Sequence, residues 1–390
     1  MDGFYCMKKI VNYMRRMAQL IGKIINVFFI LVSQNITVPD TCNRIQADIG
    51  EKKITFYNAG AAFWGIDSYE RIPGDIIQNY GRILKMNNSF SAGKTIRFCT
   101  NASYFYLKIF YDFRPFMTNM SSNAASGLDV YSKCNNNWNW VTTVAPENGI
   151  QMHVKKKVEL GNGEKEVIIY LPSYSQVKLV LIGIPNEASV KKSTDSSNNA
   201  MVFYGSSITQ GCAASRAGLS FPNIISRYFN IPVYNFGFSE STKGEKEIIE
   251  YVAGINASIF IIEYDHNASI EELERTHINI YKTIRNCNTN AWIIFMSRFS
   301  GRRTESLLEE KKRISIIYNT VLYAHGRKDS KVFFLNGKDA LSDIDNCFAD
   351  DRHPNDLGMA QIAKLLINII EKENCIDVKN NKEYDNEFVT

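Results

Sequence analysis

The chain has 390 residues, 45% apolar and 22% charged, a globular composition that can fill a sizeable core in two or three folding units. Its formal charge is +5, from 45 basic and 40 acidic residues, with no basic run longer than Lys155-Lys156-Lys157, so nucleic-acid binding is not indicated. The 8 cysteines (Cys6, Cys42, Cys99, Cys134, Cys212, Cys287, Cys347 and Cys375) form no C-x-x-C pair, which excludes zinc-knuckle and thioredoxin-like sites and leaves most of them as free, buried, small apolar residues.

At the N-terminus, Lys8, Lys9, Arg15 and Arg16 precede the apolar run 24–32, which gives way to Ser33-Gln34-Asn35. Basic residues before a short apolar run read as an export signal over residues 1–33, since a membrane-spanning helix needs about 20 apolar residues. Lys23 interrupts the wider apolar region just before that run, and an amphipathic peripheral helix is the competing reading. The expectation is therefore an exported protein (periplasmic, cell-surface or secreted), with a cytoplasmic one as the alternative and no stable membrane span.

Residues 41–192 read as an all-β domain. Short aromatic and β-branched runs at 54–57, 95–98, 104–110, 167–171 and 177–182 are separated by turn clusters such as Asn135-Asn136-Asn137 and Gly161-Asn162-Gly163. Such spacing predicts a β-sandwich of jelly-roll type, nearly free of helix. The lysine triplet reads as a solvated turn between strands. Trp64, Trp138 and Trp140 are either stacking platforms for sugar rings or core and interface residues. The polar stretch 191–199 reads as a linker.

Beyond it the pattern alternates. Strands are expected at 200–204, 233–236, 259–264, 292–296 and 332–335, and helices at 221–229, 245–252, 271–285, 305–323 and 357–371. This predicts an α/β domain over 200–373 with a flavodoxin-like, three-layer arrangement around a parallel sheet. Residues 374–390 form a polar tail, expected to fray.

In parallel α/β sheets the reactive groups gather at the carboxyl ends of the strands. After the first strand comes Gly205-Ser206-Ser207-Ile208-Thr209-Gln210-Gly211; after the second, Asn235-Phe236-Gly237-Phe238-Ser239. The third is followed by Asp265-His266-Asn267, and the fifth, past its loop, by Asp350-Asp351-Arg352-His353-Pro354-Asn355. Taken singly, a serine there is more often a helix cap and D-x-x-H a hydrogen-bonded turn. Together they supply a nucleophile, oxyanion donors and a base with an orienting carboxylate, which acyl transfer requires.

Gly205-Ser206-Ser207 resembles the G-D-S block of SGNH/GDSL hydrolases, Asn235-x-Gly237-x-Ser239 the second block, Asn267 the asparagine of the third, and Asp350-x-x-His353 the fifth. The resemblance covers 200–372, and the β-domain looks like the accessory domain of two-domain bacterial members. It implies Ser207 as nucleophile, His353 as base and Asp350 as triad acid, with Asp351 as runner-up. It also implies an oxyanion hole from Ser207, Gly237 and Asn267, and no cofactor or metal. Ser206 departs from the usual aspartate, and Glu240 stands where a glycine commonly ends the second block. Arg216, Glu240, His266 and Arg298 are candidate substrate contacts, His266 also being an alternative base. The implied activity is a short-chain, acetyl-type esterase on an acylated saccharide. A lipid- or thioester-directed enzyme is the alternative, although no apolar insertion flanks the four blocks. A non-catalytic glycan binder with a degenerate site is the third reading.

Overall fold

The computed structural model describes residues 44–49, 52–59, 68–134, 137–193, 200–299, 306–342 and 344–376. The expected export signal, Trp64, the linker from 194 to 199 and the tail from 377 lie outside them.

In chain order the β-rich half contains β1 (Arg44–Ile49), β2 (Lys52–Asn58), α1 (Gly74–Ile77), α2 (Arg82–Asn88), β3 (Thr95–Thr100) and β4 (Tyr104–Phe113). After these come α3 (Ser122–Ser126), β5 (Leu128–Cys134), β6 (Asn137–Val144), β7 (His153–Glu159), β8 (Lys165–Tyr170), β9 (Gln176–Pro185) and β10 (Val190–Lys192). They form two five-stranded sheets, ordered β1-β2-β9-β4-β7 and β10-β3-β8-β5-β6. The pairings from β2 to β7 and from β10 to β6 are antiparallel. Alternation explains the layering: Phe105, Leu107, Ile109 and Tyr111 of β4 point inward, while their neighbours face out. The inner faces share one core, in which Phe98, Val130, Val167 and Ile169 meet Phe105, Leu107, Ile109, Val180 and Ile182.

One reading of this half needs correction. Lys155-Lys156-Lys157 is not a turn but the middle of β7, an edge strand whose lysines lie along neighbouring side chains. Lys155 and Lys157 sit 4.9 and 4.1 Å over the rings of Tyr106 and Tyr104, and Lys156 Nζ donates to Thr142 Oγ1. Charge on an edge strand discourages pairing with another chain. The connections of this half hold the short helices α1, α2 and α3, too short to leave a periodic signature.

The α/β half contains β11 (Met201–Gly205), α4 (Ser207–Gln210), α5 (Phe221–Phe229), β12 (Val233–Gly237), α6 (Lys246–Ala253) and β13 (Ile259–Glu263). It continues with α7 (Ile270–Cys287), β14 (Trp292–Met296), α8 (Leu307–Gly326), β15 (Val332–Leu335) and α9 (Asp356–Lys372). All five strands are parallel in the order β12-β11-β13-β14-β15. Met201, Phe203, Ile259 and Ile261 pack toward α5 and α9, while Val202, Tyr204, Phe260 and Ile262 pack toward α6, α7 and α8. The chain enters this sheet at β11 and builds outward to both sides, so the crevice of the topological switch opens beside the end of β11. Of the polar tail, Cys375 and Ile376 are buried in the α5/α9 core rather than frayed. Cys99, Cys212, Cys287, Cys347 and Cys375 are free; three are buried, whereas Cys287 is exposed.

From Ile45 onward the two halves pack as one compact unit. Asp129 of β5, fully buried, is one polar tie between them. It accepts from Gly218 N at 2.9 Å, Trp140 Nε1 at 2.8 Å, Thr143 Oγ1 at 3.0 Å and Arg216 Nη1 at 3.1 Å. Trp140 is half exposed beside Arg216, and Trp138 packs in the junction with Tyr131, Tyr170 and Ala217. Asp129→Ala leaves the Arg216 charge without its carboxylate and is expected to destabilise the protein by about 3–5 kcal/mol in urea unfolding.

Candidate active site

The strand-to-helix turn after β11 is built to present one serine. Ser206 has extended backbone and caps α4, its hydroxyl accepting from Ile208 N at 3.1 Å. The single turn ends at Gly211, whose φ of 103° suits glycine, and its N–H closes back on the Ser207 and Ile208 carbonyls. Ser207 is thus the first residue of α4, and its N–H has no partner among the described residues. Beneath lies Glu263, 1% exposed, whose carboxylate accepts from Ser206 N at 3.2 Å, Ser206 Oγ at 2.8 Å and Thr209 Oγ1 at 2.7 Å. Burial pushes its pKa up to about 7, against the pull of those hydrogen bonds.

The other half of the relay arrives just before α9. Asn355 caps that helix, accepting from Leu357 N and Gly358 N. The tight turn ahead of it folds on Asp350, whose Oδ1 accepts from Arg352 N and His353 N, each at 2.8 Å. His353 Nδ1 lies 2.8 Å from Asp350 Oδ2, and its Nε2 lies 2.9 Å from Ser207 Oγ. With Nδ1 protonated toward the carboxylate, Nε2 is free to accept from the serine hydroxyl. Burial would raise the Asp350 pKa, but hydrogen bonds from Asn119, His353 and the turn amides outweigh it and hold it down at about 2. Asp350 therefore stays ionised through the neutral range. The exposed Asp351 has no place in this chain of contacts.

Several expected site residues lie elsewhere. The Gly237 N–H is committed to Asn235 Oδ1 at 2.9 Å, so Gly237 is not an available oxyanion donor. Its need for glycine is steric: a Cβ there would sit 2.3 Å from Gln210 N and 2.8 Å from Ser206 O. Asn267 directs both amide hydrogens at its own surroundings, to Phe238 O at 2.9 Å and Thr242 Oγ1 at 2.6 Å, and so braces the second block. Arg216 is an interface residue, held by Asp129 and Tyr131, not a substrate contact. Arg298 donates to Asp265 O at 2.9 Å and pairs with the Asp265 carboxylate. His266 accepts from Phe299 N at 3.1 Å and stacks on Phe299, which removes it as an alternative base. Glu240 is on the rim with a left-handed φ of 57°, and its N–H has no partner among the described residues.

The β-rich half supplies support that sequence reading missed. The buried Arg71 guanidinium donates to Gly237 O, Asn235 O and Asn87 O and lies 4.1 Å over the Phe238 ring. Tyr174 OH is 2.7 Å from Ser239 Oγ and 3.4 Å from Ser207 O. Asn119 Nδ2 donates to Asp350 Oδ2 at 2.8 Å. Only Glu263 left a readable signal, as the single charged residue ending an apolar strand.

Gly237→Ala forces the backbone of α4 to move and is expected to lower turnover by about 100-fold or more while the protein remains folded, read by steady-state kinetics and circular dichroism. Glu263 has a folded pKa above its unfolded value near 4.5, so the stability it contributes is fully present below that pH and lost as pH rises through about 7. That difference is on the order of 3 kcal/mol between pH 4 and pH 8. Glu263→Gln, isosteric with the neutral acid, is expected to flatten this fall in a series of Tm measurements against pH.

Comparison with known proteins places these features in context. The profile of the GDSL-like Lipase/Acylhydrolase family matches residues 198–371, and that of the N-terminus of Esterase_SGNH_hydro-type matches residues 52–190. No curated protein matches the chain. Among solved structures, a GDSL-like lipase from Bacteroides ovatus is similar at 26% identity and a TM-score of 0.75, covering 84% of this chain and 100% of its own. The salicylyl-acyltransferase SsfX3 from a tetracycline biosynthetic pathway has 14% identity, a TM-score of 0.69 and coverage of 88% and 100%. A family two carbohydrate esterase from Clostridium thermocellum, solved with cellohexaose, has 13% identity, a TM-score of 0.54 and coverage of 73% and 94%.

Proposed function

The chain belongs to the GDSL-like lipase/acylhydrolase (SGNH) family and is a serine hydrolase, and we propose that it removes short acyl groups, acetyl foremost, from carbohydrate esters through an acyl-enzyme on Ser207. The observation that carries this reading is the relay in which Ser207 Oγ, His353 and Asp350 are joined at 2.9 and 2.8 Å.

As Ser207 Oγ attacks the ester carbonyl, His353 Nε2 takes its proton, and Asp350 keeps the imidazole in the required tautomer and stabilises the imidazolium. The alkoxide leaves with that proton. Water, deprotonated by the same nitrogen, then releases the acid. The developing oxyanion is met by the Ser207 N–H, with the Glu240 N–H on the loop that Tyr174 ties to the Ser207 carbonyl. Losing one such donor costs about 2.7–4 kcal/mol in the barrier. Asn267 joins only by releasing Phe238 O or Thr242. The carbohydrate part of the proposal draws on the named esterase of the same fold, and on an accessible polar rim of Ser239 and Glu240. Export through residues 1–33 belongs to the same proposal and rests on their basic-then-apolar pattern.

One observation favours a bulkier acyl or lipid substrate. Although no apolar insertion interrupts the four blocks, folding brings one from the β-rich half: Phe116, 92% exposed, and Met117 precede Asn119, which touches Asp350. Hydrolysis of a p-nitrophenyl ester series separates the two. Acetate is expected to be fastest, with rates falling as the chain lengthens, and Ser207→Ala and His353→Ala are expected to lower them by at least about 10⁴-fold. A flat or rising profile would move the reading to longer acyl groups. Activity retained in Ser207→Ala would overturn the mechanism.

A further inference from the structure

We propose that Asn119, on the 114–121 loop of the β-rich half, is a positioning residue that clamps the acid-bearing turn to the nucleophile-bearing turn, so that the active site is complete only when the sandwich is seated against the α/β half. The inference rests on the reading of Ser207, His353 and Asp350 as the reacting set.

The two oxygens of Asp350 are held differently. Oδ1 accepts from the two amides of its own turn, which fixes that oxygen locally. Oδ2 is the oxygen closer to His353 Nδ1, at 2.8 against 3.0 Å, and Asn119 Nδ2, also at 2.8 Å, reaches it from outside the turn. Without that donor the carboxylate is free to rotate about the Oδ1 anchor, and the imidazole follows it. The same amide nitrogen lies 3.5 Å from Cys212 Sγ, and the Cys212 N–H donates to Ser207 O at 2.9 Å. One side chain therefore touches both the turn that closes α4 and the turn that carries the acid.

The loop is pre-set for this role. Arg114 at its start donates to Asn148 O, Gln151 O and Ser126 Oγ, and Ser121 at its end caps α3. Between them Met117 and Met120 pack with Phe90, Tyr174 and Cys212. A neutral donor is chemically apt there. It stabilises the carboxylate without the competing charge of lysine or arginine, which would draw Asp350 away from the imidazole.

The test uses the full chain with two probes, p-nitrophenyl acetate turnover and the rate at which a fluorophosphonate labels Ser207. Asn119→Ala removes the donor, and Asn119→Asp keeps the shape while replacing the donor by a like charge. Asn119→Ser, smaller and still able to donate, guards against a folding defect in either. In Asn119→Ala and Asn119→Asp, kcat and the labelling rate are expected to fall about 10–100-fold, with KM within about 2-fold and the thermal midpoint nearly unchanged. Asn119→Ser is expected to retain the most activity of the three. Wild-type kcat and labelling in folded Asn119→Ala or Asn119→Asp would overturn the positioning role and leave the esterase reading intact. A raised KM with unchanged kcat would also overturn it, making Asn119 a substrate contact. Failure of the wild type to label at Ser207 would instead overturn the reading of the site itself.

Discussion

The strand that presents Ser207 and its neighbour β13 end in register, Gly205 beside Glu263, and the Glu263 carboxylate lies under the turn between them. A buried acid is costly unless its oxygens are satisfied, and here the satisfying groups are the cap and the third residue of α4, Ser206 and Thr209. The arrangement works in both directions. Glu263 finds its hydrogen bonds only if α4 adopts its one turn, and α4 is anchored in turn by Glu263. The position of Ser207 Oγ, and with it the 2.9 Å contact to His353, follows from that mutual constraint. It also accounts for Ser206 in the place of an aspartate. The acidic group arrives from the next strand, and a second carboxylate beside it would add like-charge repulsion in a dry site.

The β-rich half reaches all three segments of the candidate site. Arg71 and Asn87 hold the second block by its carbonyls, Tyr174 joins that block to the nucleophile turn, and Asn119 meets the acid. Loops at strand ends carry backbone groups that the sheet does not satisfy, and these are the groups the β-rich half binds. A cation as deeply buried as Arg71, bonded to carbonyl oxygens and an aromatic face, is understandable in those terms: it ties together three backbone oxygens that bend around the site. The sandwich is thus part of the enzyme's framework.

The misread segments share a cause. Lys155-Lys156-Lys157 reads as a turn if charge is equated with solvent, yet a lysine stem lies readily along tyrosine rings on an edge strand. Arg216 and Arg298 looked like substrate contacts because they follow strands, but each found a buried carboxylate, Asp129 or Asp265, far away in sequence. Gly237 was chosen for a free amide and matters for its missing side chain.

By itself the sequence determined the elements and singled out the candidate reacting groups. Period-two runs specified the β-rich half, uniformly apolar runs between amphipathic helices specified the parallel sheet, and serine after the first strand with D-x-x-H before the last helix specified the relay. All of these are local patterns, set by residues within a few positions of one another. The tertiary structure decided which charges are neutralised and what supports the proposed triad. The Gly237 N–H is taken by Asn235 of its own strand, whereas whether Asn267 has an amide hydrogen to offer depends on Phe238 and Thr242, brought in from another loop. The same holds for Asn119 and Asp350, which meet only because the sandwich packs against the sheet. A hydrogen bond formed between distant segments leaves no periodicity in either of them, so it becomes visible only when the chain is folded.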